Sequence, residues 1–355
     1  MRKERLITYQ DSLNIKNSIY IDARTKEEYN EATIPGAVNI ELLDHNERKI
    51  IGTIYKNQNS KKAKLKGVEL VSPKIPNLIK KINQLNKKYD NLIIFCSRGG
   101  LRSKSLAEFS DLAGIEVYRL EDGYKGYRHY VMDKLENYDF KGRISVLHGN
   151  TGVGKTYILK EMKKMGANII DLEKIANHRG SAFGSIGLDQ PYNQKYFDSL
   201  LWEELKKKDK KNGVIFIEAE SRRVGHSVIP DFFNKEMKAG EDLLITASME
   251  KRVDNIYLEY IKDIESDQEK FIERVLESLT AIKKYIIKKA GKKSYFKLLE
   301  LAKKGEFKKL TKILLEEYYD PMYEHSQNKI NNYKAKIIAD DIENAAQEIV
   351  NLYHL

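Results

Sequence analysis

The stretch that most narrows what this chain can fold into is Gly149-Asn150-Thr151-Gly152-Val153-Gly154-Lys155-Thr156, a complete G-x-x-x-x-G-K-T. An apolar run, Ile144 to His148, leads into it, and Tyr157 to Met165 follows with helical character. Strand, loop and helix in that order are the context the motif needs, because the loop N–H groups then converge on one point at the positive end of a helix. The backbone would wrap a di- or triphosphate, Lys155 would pair with phosphate oxygens, and Thr156 would ligate Mg²⁺.

The segments downstream fit a sheet built around that loop. Ala167 to Glu173 is expected as the next strand, ending in acids that include Asp171. Gly213 to Ser221 has the pattern of a buried strand with acids at its end, where the acid that faces the metal should stand. Aspartate is usual there; Glu218 or Glu220 must serve here, followed by Arg222 and Arg223, ready to meet phosphate. Between them, Asn177 to Ser185 is rich in small and polar residues, and its His178 and Arg179 are expected on the substrate side of the cleft. A last strand, Asp242 to Ala247, leads to Glu250-Lys251-Arg252, after which strand signals stop and helical spacing takes over.

The second constraint is the only cysteine in 355 residues, in Ile93-Ile94-Phe95-Cys96-Ser97-Arg98-Gly99-Gly100-Leu101-Arg102-Ser103. A short apolar strand ends at Cys96, and a tight glycine loop and a helix from about Ser103 follow. Converging N–H groups, a helix N-terminus, Arg98 and Arg102 all favour a thiolate over a thiol, so Cys96 is the inferred nucleophile. Around it, Ser18 to Arg24, Ile34 to Ile40 and Val117 to Leu120 are strand-like, with helices near Lys26 to Asn30 and Asn77 to Lys88. A longer connection, about Glu41 to Ser72, carries Lys56, Lys61, Lys62, Lys64 and Lys66 with no acid between them. Alternation of strands and helices predicts a parallel sheet covered on both faces.

This first part resembles the rhodanese family through Asp22 and Arg24, Glu28-Tyr29, Ile34 to Asn39, the Cys96 loop and Leu120-Glu121-Asp122-Gly123-Tyr124. Thr33 stands where many members of that family have His. The resemblance implies a persulfide-type carrier cysteine. Five residues separate Cys96 from Arg102, one more than in common sulfurtransferases and a spacing that also suits rhodanese-fold phosphatases. The loop alone therefore leaves sulfur and phosphate chemistry both open.

Length implies two domains and an extension: residues 1–138 with the Cys96 loop, 139–252 with the P-loop, and a lysine-rich helical region at 253–355. The fold class expected is α/β, a rhodanese-like parallel-sheet domain followed by a P-loop NTPase-like domain and a basic α-helical extension. The formal net charge is +11, and Lys283 to Lys312 holds twelve lysines against Glu300 and Glu306. Such a segment, with Tyr285, Tyr295 and Phe296 interleaved, points to a polyanion and above all to RNA. No apolar run reaches the roughly 20 residues of a spanning helix, and the basic start at Arg2-Lys3 lacks the apolar core of a signal peptide. One cysteine excludes an internal disulfide, so a cytoplasmic location is expected.

A carrier-cysteine domain fused to a P-loop domain, with Asp171-Leu172-Glu173, Asn177 to Gly184, Glu218 to Ser221 and Tyr318-Tyr319-Asp320-Pro321-Met322-Tyr323, resembles the family of tRNA 2-selenouridine synthases from Ile19 to Tyr323. The resemblance implies replacement of sulfur by selenium in a wobble 2-thiouridine of tRNA, by way of an S-geranyl intermediate. Geranyl diphosphate would bind the P-loop, through Gly149 to Thr156 with Asp171, His178, Arg179, Glu218 and Arg222 around it. Selenophosphate, from an enzyme that supplies it, would be used at Cys96, with Arg98 and Arg102 assisting. Three other functions remain open to test: an ATP-dependent tRNA sulfurtransferase, a phosphatase–kinase fusion acting on a small metabolite, and a non-catalytic RNA-binding protein.

Overall fold

A computed structural model describes residues 4–179, 183, 186, 190–327, 330 and 332–355, without the side chains of 261–264 and 324–327. Gly180, Ser181, Ala182, Gly184 and Ser185 of the small-residue loop lie outside the described residues. The chain divides into two compact units, Met1–Asn137 with Asn193–Glu203, and Tyr138–Tyr192 with Glu204–Leu355.

The first unit is built on a parallel sheet in the order Leu6–Ile7, Tyr118–Leu120, Asn91–Phe95, Ser18–Asp22, Val38–Asn39. Leu92, Ile93, Ile94 and Phe95 are all fully buried, as a strand covered on both faces requires. Under the sheet edge, Arg24 grips Asp22 through Nε and Nη2, the closest contact being 2.6 Å, and stacks its guanidinium 4.1 Å from the Tyr124 ring. Thr33 completes that cluster by donating to Asp22 Oδ2 at 2.9 Å, so the position that departs from the family pattern is a satisfied buried hydroxyl.

The connection after Glu41 is more ordered than its composition suggests. It forms two helices, His45–Asn57 and Ser60–Val71, the first opened by a reciprocal Asp44–Glu47 capping box and the second by Asn59. Much of their surface is polar or exposed, so neither carries the continuous apolar face by which sequence periodicity finds a helix. The first turns of helix Gln194–Lys208 also belong to this unit. There Arg128 donates to the Lys195 carbonyl at 2.7 Å and pairs with Asp198 at 2.9 Å.

The second unit holds the other parallel sheet, in the order Ala335–Ile338, Glu241–Thr246, Arg143–His148, Val214–Glu218, Asn168–Ile169. The strand that leads into the P-loop is therefore central, with Val214–Glu218 and Glu241–Thr246 on either side. Helix Lys155–Lys164 packs beside helix Ile342–Leu352 over a core of Leu147, Ile158, Phe216, Ile245 and Ile349.

Three expectations change here. Strand structure does return after Arg252: Ala335–Ile338 pairs with Leu243 to Thr246, but only Ile337 of its four residues is buried, so it had no apolar run to announce it. The strand expected over Ala167 to Glu173 is reduced to Asn168–Ile169, because the Asp171 carboxylate caps Lys174 N–H and starts helix Leu172–Ala176. The Tyr318-Tyr319-Asp320-Pro321-Met322-Tyr323 segment, which reads in the sequence as a break at a helix end, is no break. A π-helical turn, Leu315–Tyr319, closed by Asp320 N–H on the Leu315 carbonyl, runs on into helix Asp320–Gln327, and this wider turn precedes Pro321, which has no N–H to give.

Most of the lysine-rich segment is helix Lys283–Lys303, kinked at Gly291 with φ 87°. Its apolar side, with Ile286, Tyr295, Leu298 and Ala302, joins Phe271, Val275, Phe307, Leu310 and Leu314 in a separate core. All twelve lysines from Lys283 to Lys312 are exposed on the opposite side.

Candidate functional site

The cysteine loop is shaped by close backbone packing. Cys96 is buried, and helix Leu101–Leu112 begins right after Gly100, two residues earlier than expected. Tyr124 N–H and Lys125 N–H bond the carbonyls of Cys96 and Ser97. Gly123 lies so close that a Cβ there would sit 2.1 Å from the Cys96 carbonyl oxygen, so no other residue fits. The Cys96 sulfur is 3.2 Å from Ser103 Oγ. Among the described residues, the N–H groups of Ser97 to Gly100 have no protein acceptor. They remain available for an anion at the helix N-terminus.

The two arginines of this loop play different parts. Arg102 is anchored: it bonds Glu28 Oε2 at 2.6 Å and Ser97 Oγ at 2.7 Å, while Ser97 donates to Glu28 Oε1 at 2.9 Å. Burial alone would raise the Glu28 carboxyl, but Arg102, Ser97 and Arg48 outweigh it and hold the group down at about 2. Arg98 is exposed. Glu28 was singled out in the sequence only as part of a family pattern, and it is the residue that fixes the loop.

In the second unit a cavity of about 1080 Å³ opens beside the P-loop. Gly149, Thr151, Gly152, Gly154, Lys155 and Thr156 line it, with Asp171, His178, Arg179 and Glu218. Gly154 has φ 90° and Gly152 φ 83°, left-handed turns that aim the loop inward. Lys155 Nζ folds over the loop to the carbonyls of Gly149 at 3.1 Å and Asn150 at 3.5 Å. Asn150 and Val153 support the loop from its outer side: Val153 is buried in the core, and Asn150 donates to Asp320 Oδ1 at 3.1 Å.

Thr156 Oγ1 donates to Glu218 Oε1 at 2.6 Å, and carboxylate oxygens of Glu173, Glu218 and Glu220 lie within 4.8 Å of one another. Burial, then Glu218 and Glu220, push Glu173 up to about 9; burial and Glu218 push Glu220 up to about 7. Burial also raises Glu218, against the pull of Lys155 and Thr156. A hydroxyl and three carboxylates are an all-oxygen donor set suited to Mg²⁺. Asp171, committed to capping, borders this cluster.

Other expected residues divide. His178 lines the cavity with its ring against Gly225, and burial and His226 lower its basicity. Arg179 pairs with Glu259 at 2.9 Å and lies 4.8 Å over the Tyr260 ring. Arg222 does not reach the cavity: it is exposed and pairs with Asp231 at 2.6 Å, because the chain turns outward after Ser221 into the short strand Arg223–Val224.

The apolar share of the lining has a different character. Ile256, Tyr260, Phe271, Val275, Phe307, Leu310, Leu314, Leu315 and Tyr319 make it up, contributed by the helices after Arg252. Helical spacing after Arg252 is legible in the sequence, but spacing cannot tell a wall from an interior. Among the described residues no helix is long and apolar enough to cross a membrane.

Comparison with known proteins bears on both units. A family profile described as the tRNA 2-selenouridine synthase AAA domain matches residues 142–353, and one for the rhodanese-like domain matches residues 6–130. The tRNA 2-selenouridine synthase of Hydrogenovibrio crunogenus is 31% identical over 89% of this chain and 91% of its own length. That of Pseudomonas fluorescens is 32% identical over 87% and 88%. That of Bdellovibrio bacteriovorus is 34% identical over 69% of this chain, and the match spans only 65% of the relative's length. With a profile covering more than half the chain and relatives matched nearly end to end, this chain belongs to the tRNA 2-selenouridine synthase family.

Proposed function

We propose that the protein replaces the sulfur of wobble 2-thiouridine in tRNA by selenium in two steps, with geranyl diphosphate and selenophosphate as co-substrates. The observation that carries this reading is the mixed lining of the cavity, in which a phosphate-binding loop and carboxylates stand beside a cluster of aromatic and aliphatic side chains. A nucleotide would present a polar base and ribose to those aromatic and aliphatic walls, at a desolvation cost. A prenyl diphosphate offers a diphosphate to the loop and hydrocarbon to the walls.

In the first step the thiocarbonyl sulfur attacks C1 of the geranyl chain, the C1–O bond breaks, pyrophosphate leaves and the N3 proton is released to solvent. The P-loop N–H groups and Lys155 hold the diphosphate and take up the charge that develops on it. Thr156, Glu218, Glu173 and Glu220 would hold Mg²⁺, which supplies charge neutralisation on the departing pyrophosphate when bound. The apolar walls keep water from the allylic carbon.

In the second step selenium of selenophosphate attacks C2 and the geranylthio group departs as the thiol. The Cys96 sulfur attacks phosphorus and breaks the P–Se bond, and water then hydrolyses the S-phosphocysteine to phosphate and free thiol. Alkylation makes this possible by converting a poor leaving group into a thiolate-type one. The Cys96 loop would take the selenophosphate anion on the N–H groups of Ser97 to Gly100, with the Cys96 sulfur as that nucleophile. The exposed lysines of Lys283 to Lys312 suit the tRNA backbone. The setting would be the cytoplasm, beside an enzyme that supplies selenophosphate.

The test is incubation of the protein with thiolated tRNA, geranyl diphosphate and selenophosphate, followed by nucleoside mass spectrometry. Geranylthio and selenium masses are expected in turn. A gain of sulfur, or reaction that needs ATP and not geranyl diphosphate, would overturn the reading.

A further inference from the structure

We propose that the Phe271–Phe307 ring pair is the end wall of the apolar part of the cavity and limits the length of the prenyl chain that it takes; this rests on the prenyl diphosphate reading of the cavity. The argument begins at the P-loop. Helix Met249–Ser266 starts against it, where Arg252 Nε and Asn255 Nδ2 each donate at 2.9 Å to the carbonyls of Thr151 and Gly152. That end of the helix is thereby tied to the phosphate end of the cavity.

The helix then runs along the cavity wall. Tyr260, five residues on, stands about 7.5 Å further along the axis at the usual helical rise. Its ring centroid is 6.0 Å from that of Phe271. Phe271 in turn meets Phe307 edge to face, at 5.0 Å and 89°. A row of aromatic rings thus runs from this helix to a crossed pair.

Behind that pair the packing closes. Phe271 and Phe307 both line the cavity, yet they are only 7% and 8% exposed, so protein lies at their backs. Part of that backing is Gly305, where an added Cβ would be 3.9 Å from the Phe307 ring and 2.9 Å from the Gln268 amide. A chain long enough to reach the pair would have to displace a ring and then meet a polar amide. Val275, one helical turn along from Phe271, adds its side chain to the same wall.

The experiment offers wild type, Phe307→Ala, the milder Phe307→Leu, and Val275→Phe an equimolar mixture of dimethylallyl, geranyl and farnesyl diphosphates with thiolated tRNA. Nucleoside mass spectrometry reads the ratio of the three prenylthio products. The ratio comes from whatever fraction is folded, so lost stability does not move it.

Wild type is expected to favour geranyl over farnesyl. Phe307→Ala should raise the farnesyl-to-geranyl ratio about tenfold or more, in line with discrimination by a hydrophobic pocket, and Phe307→Leu should shift it less. Val275→Phe should shift use toward dimethylallyl. A wild type that uses farnesyl as readily as geranyl, or a ratio unmoved by these substitutions while geranylation continues, overturns the wall. A wild type that forms no prenylthio product from any of the three overturns the underlying function instead.

Discussion

Arg252 clasps both carboxylate oxygens of Asp320, at 2.9 and 2.6 Å, and with Nε holds the P-loop carbonyl of Thr151 at 2.9 Å. Asn150 adds a bond to the same carboxylate at 3.1 Å. Asp320 follows the π-helical turn Leu315–Tyr319, so the helical region after Arg252 braces the phosphate loop directly. The Arg252 side chain is only 6% exposed. Asp320→Ala would strand a buried guanidinium and should cost about 3 kcal/mol, while loosening the loop. Calorimetry and diphosphate affinity should both fall, with Asp320→Asn losing less; an unchanged melting temperature would refute the brace.

The carboxylate cluster predicts a pH and metal dependence of definite sign. Glu173 and Glu220 are raised to about 9 and about 7, so the protein binds more protons folded than unfolded. Their favourable contribution is complete below the ordinary carboxylate range and is lost as pH rises through those values. Glu173→Gln should therefore raise the melting temperature more at pH 8.5 than at pH 5. Magnesium should stabilise wild type at pH 8.5 and do little at pH 5, where protons occupy the carboxylates. Equal magnesium effects at the two pH values would count against the cluster as its site.

Glu28 predicts the opposite sign in the first unit. Its carboxyl is held at about 2, so the bonds to Arg102 and Ser97 contribute stability above the ordinary carboxylate range, and that is lost as pH falls toward 2. Glu28→Gln should cost about 1–2 kcal/mol at pH 7. The gap from wild type should close on acidification. A gap that stays constant down to pH 2.5 would mean that the charge on Glu28 is not what holds the loop.

The two chemical steps should separate by mutation. Cys96→Ser is expected to form geranylated tRNA at the wild-type rate and to lose selenium incorporation by a hundredfold or more. Lys155→Ala should lose geranylation itself, yet pre-geranylated tRNA should still accept selenium. Nucleoside mass spectrometry of both intermediates decides each case, and a Cys96→Ser protein that still makes selenouridine would remove Cys96 from the second step.

The pieces whose geometry is local were legible from the chain alone. Gly149 to Thr156 and Cys96 to Arg102 are continuous stretches in which backbone conformation and side-chain chemistry lie together, so the loop, the flanking strand and the helix could be inferred from neighbours alone. The parallel sheets follow from buried runs such as Leu92 to Phe95 and Val214 to Ile217. Tertiary structure alone decided which distant groups meet. Glu173 joins Glu218 and Glu220 because Asp171 starts a helix where a strand was expected, and no local pattern records that rotation. Arg222 points away because the chain turns after Ser221. Phe271 and Phe307 carry the same helical spacing whether they fill a core or close a cavity. Periodicity specifies which side of a helix is apolar, and only the packed chain shows whether that side meets protein or empty space.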